Sequence, residues 1–375
     1  MRVITRRGLA IRGLATIWGA ALLLGAVAAC AGEDATTNPG SGNAVSVENG
    51  FKIGLLLPES KTTRYETFDR PLMEAKLKQL CPKCEVLYQN ADQDTAKQVS
   101  QVESMLTQGV KVLILDAVDA KAAEGMVNNA KSKNVPVIAY DRLASGPVDY
   151  YVSFDNKKVG EVQGQALLDA LSKGGDPKRG QIVMIHGSPT DPNAADFKAG
   201  AKSVLEGKVN IGKEYDTPDW SPDQAQREME QAITAVGKDK IIGVYAANDG
   251  TGGGAIAAMK GAGFTTIPFT TGQDAELAAI QRILTGQQGM TVYKAIKPEA
   301  EAAAEMAIAA ATGKQYTGQT VMKNNGSKDV PSVLLTPVAV TKETVKDTVI
   351  KDGFYTAAQI CTGEFAKACT DLGIS

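Results

Sequence analysis

Residues 110–141 read VKVLILDAVDAKAAEGMVNNAKSKNVPVIAYD, and this stretch decides the fold class. Val110–Leu115 is a nearly continuous apolar run of strand length. Ala120–Ser132 follows with helical composition, and Val135–Tyr140 is a second apolar run. Strand, helix and strand in so short a span make a βαβ unit with parallel strands buried on both faces. The rhythm extends both ways. Upstream, Phe51–Leu57 and Glu85–Gln89 read as strands, Glu66–Leu80 and Thr95–Gln108 as helices. In the last, Val99, Val102, Met105 and Leu106 share one face. Downstream, strands at Gln181–Ile185, Val209–Tyr215, Ile241–Tyr245, Thr265–Thr270, Met290–Tyr293 and Ser332–Leu335 alternate with helices. Those helices are Asp155–Leu171, Ala194–Glu206, Pro222–Val236, Gly252–Lys260, Ala275–Leu284 and Pro298–Ala311. So many strands exceed one comfortable sheet, and 375 residues exceed one ordinary domain. The expectation is an α/β protein of two doubly wound parallel-sheet lobes.

The N-terminus is not part of that rhythm. Arg2, Arg6, Arg7 and Arg12 precede an apolar run from Leu14 to Ala29, the order of a secretory signal peptide over residues 1–29. The run ends V-A-A-C at Val27–Cys30, which resembles a bacterial lipobox and marks Cys30 for lipidation. Residues 30–50 are mostly small and polar and read as a flexible tether. The expected location is extracytoplasmic, lipid-anchored to the membrane. With 40 basic and 42 acidic residues there is no basic excess to neutralise phosphates, so nucleic acid is not an expected partner. His186 is the single histidine, which excludes multi-His metal sites; no metal and no cofactor is expected. Beyond Cys30 there remain Cys81 and Cys84 in C-P-K-C, and Cys361 and Cys369. An even count outside the cell favours disulfides over zinc or a redox C-x-x-C.

Ligands of open α/β sheets bind beyond the carboxyl ends of the strands. The residues at those positions are polar and chemically varied. They are Lys61, Arg64 and Tyr65 after the first strand, Asp141 and Arg142 after VPVIAY, and Asn193 after QIVMIH. Then come Trp220, Asn248, Asp274 and Lys294 after later strands. Carboxylates accept from hydroxyls, while Arg, Lys and amide NH₂ groups donate to them. Aromatic rings pack on the flat C–H faces of a pyranose. A neutral polyol must have its hydroxyls paired once buried, at a cost of about 1–3 kcal/mol for each left unpaired. This set reads a sugar better than any other small ligand.

Longer stretches carry a resemblance: Tyr140–Arg142 (Y-D-R), Ser153–Asn156 (S-F-D-N), Gly187–Ala194 (G-S-P-T-D-P-N-A) and Asn248–Ile256 (N-D-G-T-G-G-G-A-I). Further ones are Thr271–Leu277, Met290–Lys294, Asp329–Pro337 and Asp347–Phe354. In order, from about Phe51 to Phe354, they resemble the type I periplasmic binding proteins of the ribose/galactose group, in particular their xylose-binding branch. The resemblance implies an ABC importer's substrate-binding component, not an enzyme. It would capture a monosaccharide, D-xylose first or a related aldose, between two lobes joined by a three-strand hinge. It further implies an ABC permease as partner and a monomeric state. The family's sugar contacts fall on Arg64, Asp141, Arg142, Asn193, Trp220, Asn248, Asp274 and Lys294. Lys61 and Tyr65 are carried with changes, standing where the branch has arginine and tryptophan. Pro192 and His186 also depart from the pattern, replacing asparagine and glycine. Lys61 offers a point charge in place of a planar fork. These departures keep the sugar class and loosen the xylose preference toward glucose, galactose or arabinose. The implied lobes are 51–153 with 290–337, and 154–289 with 338–375. Local bridges Cys81–Cys84 and Cys361–Cys369 are the expected pairing, with cross-pairing open.

Rival readings exist for single motifs. Gly250–Ala255 fits G-x-G-x-x-A after a strand, with acidic Asp274 and Glu276 further on, as in an exported NAD(P)-dependent enzyme. It follows a late strand, and an exported chain has no cofactor pool. Asp141 and Asp274 could form a glycosidase pair, but Arg142 and Lys294 would hold both ionised. A sugar sensor presenting its ligand to a membrane receptor is the remaining alternative to transport.

Overall fold

The computed structural model describes residues 45–374. The signal peptide read over 1–29 and the lipidation site Cys30 lie outside the described residues. Among the described residues there are thirteen strands: β1 (Lys52–Leu57), β2 (Glu85–Asn90), β3 (Val112–Leu115), β4 (Val137–Tyr140), β5 (Tyr150–Phe154), β6 (Gln181–His186), β7 (Ile211–Asp216), β8 (Ile241–Ala246), β9 (Phe269–Thr270), β10 (Thr291–Tyr293), β11 (Val321–Asn324), β12 (Asp329–Leu335) and β13 (Val338–Val340). The α-helices are α1 (Arg70–Leu80), α2 (Thr95–Thr107), α3 (Ala123–Ser132), α4 (Asn156–Lys173), α5 (Pro192–Leu205), α6 (Pro222–Val236), α7 (Asp249–Gly261), α8 (Leu277–Leu284), α9 (Ile296–Ala311), α10 (Ala357–Ile360) and α11 (Ala366–Asp371).

Seven strands form the first sheet, in the order β11-β12-β5-β4-β3-β1-β2, and every pairing is parallel except β11–β12. Four form the second, β7-β6-β8-β9, all parallel. Strand side chains alternate between faces, so each sheet has two cores. Ile53, Leu55 and Leu57 of β1 pack with α1 and α9, whereas Leu56 packs with α2 and α3. In the second sheet Ile182 and Met184 face α4 and α5, while Val183 and Ile185 face α6 and α7. Both sheets are therefore doubly wound, the expected class.

Helix pairs on the second sheet come unusually close, and glycine is the reason. A Cβ on Gly160 of α4 would sit 2.0 Å from the Phe197 carbonyl oxygen, and one on Gly200 of α5 would sit 2.0 Å from the Lys157 carbonyl oxygen. Gly254 of α7 stands in the same relation to Pro222 of α6, at 2.2 Å. The G-x-G-x-x-A run thus lies inside a helix and serves close packing against α6; the dinucleotide reading falls with it.

Two details differ from expectation. Residues 45–50, read as the end of a tether, are in part packed: Val45 and Val47 lie against the first core, because two apolar side chains at i and i+2 find a groove beside it. Met290 and Val292 pack in the core of the second sheet, and β10 pairs antiparallel with β13. Cys81 is bonded to Cys84, and Cys361 to Cys369. Among the described residues no helix is long and apolar enough to cross a membrane.

Candidate functional site

The carboxyl ends of both sheets converge on one small, mostly polar cavity. Its lining comprises Thr62, Arg64, Tyr65, Asp141, Arg142, Asp191, Asn193, Phe197, Trp220, Asn248, Gln273, Asp274 and Lys294.

Arg64 lies after β1 and is 2% exposed. Its Nε donates to Asp69 Oδ2 at 3.0 Å and its Nη2 to Glu299 Oε2 at 2.7 Å. Nη1 stays free of hydrogen bonds, 3.5 Å from Asp141 Oδ1. Two carboxylates thus fix the guanidinium while one edge stays available. Burial opposes the charge, but Asp69, Glu299 and Asp141 outweigh it and hold Arg64 ionised. Tyr65 opens a π-turn, Tyr65–Asp69. Its hydroxyl donates to Asp141 Oδ2 at 2.9 Å and accepts from Arg142 Nη2 at 3.3 Å.

Asp141 follows β4 with φ +53°, a left-handed backbone that aspartate tolerates better than most residues. Burial pushes its carboxyl upward, but Arg64, Lys294 and Arg142 bring it below the ordinary value. Asn193, in the first turn of α5, donates to the Asp141 carbonyl oxygen at 3.0 Å and accepts from Asn156 at 2.8 Å. Arg142 pairs with Asp191 at 3.0 Å. Asp191 also accepts from the Trp220 indole Nε1 at 3.0 Å and caps α5 through the Asn193 N–H at 2.8 Å. Trp220 has φ +52°, and its ring lies over Gly187, where a Cβ would come within 2.0 Å. Asp274, φ +88°, pairs with Lys294 at 2.9 Å. Asn248 caps α7, accepting from the Thr251 N–H at 2.9 Å. Three lining residues therefore hold strained left-handed conformations, a pattern of sites where geometry is fixed for a ligand.

Nine of the ten sequence-predicted site residues line this one space. Lys61 does not: it is exposed, and its backbone N–H binds the Glu59 carboxylate. Thr62, the next residue, takes the lining position. The turn folds on Glu59, which binds both N–H groups and aims the Lys61 side chain at solvent. His186 and Pro192 also lie outside the lining; His186 pairs with Glu214 at 3.0 Å, and Pro192 is the first residue of α5.

Sequence reasoning missed Asp191, Phe197, Gln273 and Thr62. Asp191-Pro192 carries a cap signature that marks it as the fixed start of α5. Gln273 adjoins Asp274, and its Oε1 is buried without a partner. Asp69 and Glu299, which orient Arg64, have no local signal, since Glu299 comes from α9.

Comparison with known proteins agrees with this geometry. A family model described as a periplasmic binding protein domain matches residues 53–315. The chain is 40% identical over 315 residues to the D-xylose-binding periplasmic protein of Escherichia coli strain K12, spanning 82% of this chain and 92% of that protein. It is 36% identical over 291 residues to the multiple sugar-binding periplasmic receptor ChvE of Rhizobium radiobacter, spanning 72% and 82%. A solved ABC transporter solute-binding protein from Clostridium phytofermentans, with bound β-D-glucose, superposes with a TM-score of 0.77 at 31% identity, covering 82% of this chain and 99% of that one. Two doubly wound sheets facing one small polar cavity, together with these matches, place the chain in the periplasmic binding protein family, with the type I fold and the role of a binding protein rather than an enzyme.

Proposed function

We propose that this protein captures a monosaccharide, D-xylose first, outside the cytoplasmic membrane and delivers it to an ABC permease. The observation that carries the reading is the cavity's composition. Arg64 Nη1 is a free donor, Gln273 Oε1 a free acceptor, and Asp141, Asp274, Asn248 and Lys294 surround them with further groups suited to hydroxyls. Trp220 supplies an apolar plate. Relatives named for D-xylose and for multiple sugars support the class, and the 40% match favours xylose.

Each lobe would contribute one half of the site. We take the first lobe as the chain up to Phe154 plus 295–336, and the second as 155–294 plus the C-terminal remainder. This moves the second crossover from 290 to just after Lys294, following the packing of Met290 and Val292. An open form would bind sugar on one lobe and close over it, and the closed form would dock on the permease.

Titration of D-xylose into a chain begun at residue 43 tests the ligand, because Trp220 is then the single tryptophan. We expect a saturable emission change with micromolar affinity, roughly −8 kcal/mol. A stronger response to D-glucose, D-galactose or L-arabinose would move the specificity while leaving the class. Silence for all four, with a flat calorimetric trace, would overturn the sugar reading. Lipid anchoring through Cys30 is a separate part of the proposal. Cys30→Ala should release the protein from the membrane fraction of expressing cells; retention would refute it.

A further inference from the structure

The C-terminal segment 341–374 lies beyond the matched family domain, which ends at residue 315. It does not pack as an appendage. Val345, Val349, Tyr355, Ile360, Cys369 and Ile374 form one buried core with Ile280, Ile283 and Leu284 of α8. The Cys361–Cys369 bridge closes this segment on itself around a 3₁₀ turn (Gly363–Phe365) and the start of α11, and Gln281 of α8 donates to the Ile360 carbonyl oxygen at 3.1 Å.

Three further residues in or against that core are what matter. Ala275 is the residue after Asp274, Tyr293 the residue before Lys294, and Phe68 the residue before Asp69. Asp274 and Lys294 pair in the cavity, and Asp69 holds Arg64. The immediate neighbours of three charged site groups thus rest on one apolar floor. Phe354, partly buried against this floor, joins two of them: its ring stacks on Phe68 at 4.0 Å and 19° and meets Tyr293 edge-on at 5.1 Å. Phe68 belongs to the π-turn that carries Tyr65 and Asp69, and a second π-turn, Lys346–Ile350, leads the chain into Phe354. Single π-turns of this kind are rare and occur frequently at functional sites.

We propose that Phe354 is a positioning residue for the ligand site, and that with the lobes closed the C-terminal segment holds the π-turn after Arg64 and the Asp274–Lys294 pair in register with each other. This rests on the sugar-binding reading for its affinity readout, though not for its structural one. Phe354 touches no cavity group itself. Its effect passes through Phe68 and Tyr293, whose backbones are continuous with the site.

The test is a double-mutant cycle on D-xylose affinity, with Phe354→Ala, Phe68→Ala and the pair. An aromatic contact of this kind sets the scale: each single change should weaken binding by about three- to tenfold, and the pair by no more than the larger single effect. Phe354→Tyr, which keeps the ring, should stay within about twofold. Hydrogen exchange, run with and without D-xylose, supplies the independent arm. Phe354→Ala should raise amide exchange over 64–70 and leave 181–186 of β6 unchanged. Wild-type affinity in Phe354→Ala, or effects of Phe68→Ala and Phe354→Ala that simply multiply, would overturn the inference. Should the parent protein bind no sugar, the sugar reading fails, and the exchange pattern alone decides the inference: unchanged protection over 64–70 rejects it. Phe354→Leu, which preserves apolar burial, separates ring-specific positioning from loss of fold, because it should melt near the parent yet still bind more weakly.

Discussion

Asp141 gathers the most contacts in the site. It meets Arg64, Tyr65 and Asn193, and its backbone sits where β4 ends. Removing it leaves the Tyr65 hydroxyl and an edge of Arg64 without their partner in a buried site. Asp141→Ala should weaken sugar binding by about 2–4 kcal/mol, measured by titration calorimetry, and a change below tenfold would remove Asp141 from the ligand shell. Asp141→Asn should cost less, since asparagine also accepts a left-handed φ and keeps one acceptor oxygen. This residue was legible in the sequence because it follows an apolar strand and is flanked by Tyr140 and Arg142. Lys61 shows the limit of the same reasoning. It stands at the right distance from β1, but side-chain direction there depends on the Glu59 carboxylate capturing two backbone N–H groups, a turn geometry that position alone does not encode.

At the scale of elements, helices and long apolar strands were readable because their periods are strong. Some short strands were not. β5 is broken by Ser153, β11 is mostly exposed and ends in Lys323-Asn324, and β13 has only three residues, so they exist because neighbouring strands offer them a ladder; β9 was read over Thr265–Thr270, of which only Phe269–Thr270 pair. The glycines of α4 and α5 carry a firmer prediction. Gly200→Ala places a Cβ against a backbone carbonyl, which cannot rotate away as a side chain could. The two helices must separate, and urea unfolding should show a loss of about 1–3 kcal/mol. Gly207→Ala, which meets nothing nearby but has φ +74°, is a control for backbone strain alone.

At the scale of the molecule, buried carboxylates set the response to pH. Burial pushes Asp249 up to about 7 and Glu276 up to about 8, with repulsion from Asp249 and Asp274 adding to the latter and Arg282 opposing it. Both groups are protonated in the folded chain at pH values where the unfolded chain has already ionised them. Unfolding therefore releases protons, and the linkage sign makes stability fall as pH rises from about 5 to about 8. The melting temperature should decline over that window, and Glu276→Gln should flatten the decline. Asp141 has the opposite sign, since its depressed pKa gives stability that is lost only as pH falls below the normal aspartate range. These couplings were invisible in the sequence, because α7, α8 and β10 bring the groups together only in the folded chain.

The position of β12 has a consequence for how the chain assembles. Ser332 pairs with Tyr151 and Leu335 with Phe154, so the first sheet is left with an open edge until nearly the whole chain is available. The second sheet draws all four strands from one uninterrupted stretch, β6 to β9. Loop closure for the first sheet is thus far longer, and long-range parallel pairing is slow. The second sheet should organise early and serve as the template on which the returning chain is delivered to β5. A chain halted before residue 329 would carry the unpaired β5 as an adhesive edge, open to the same strand of another molecule.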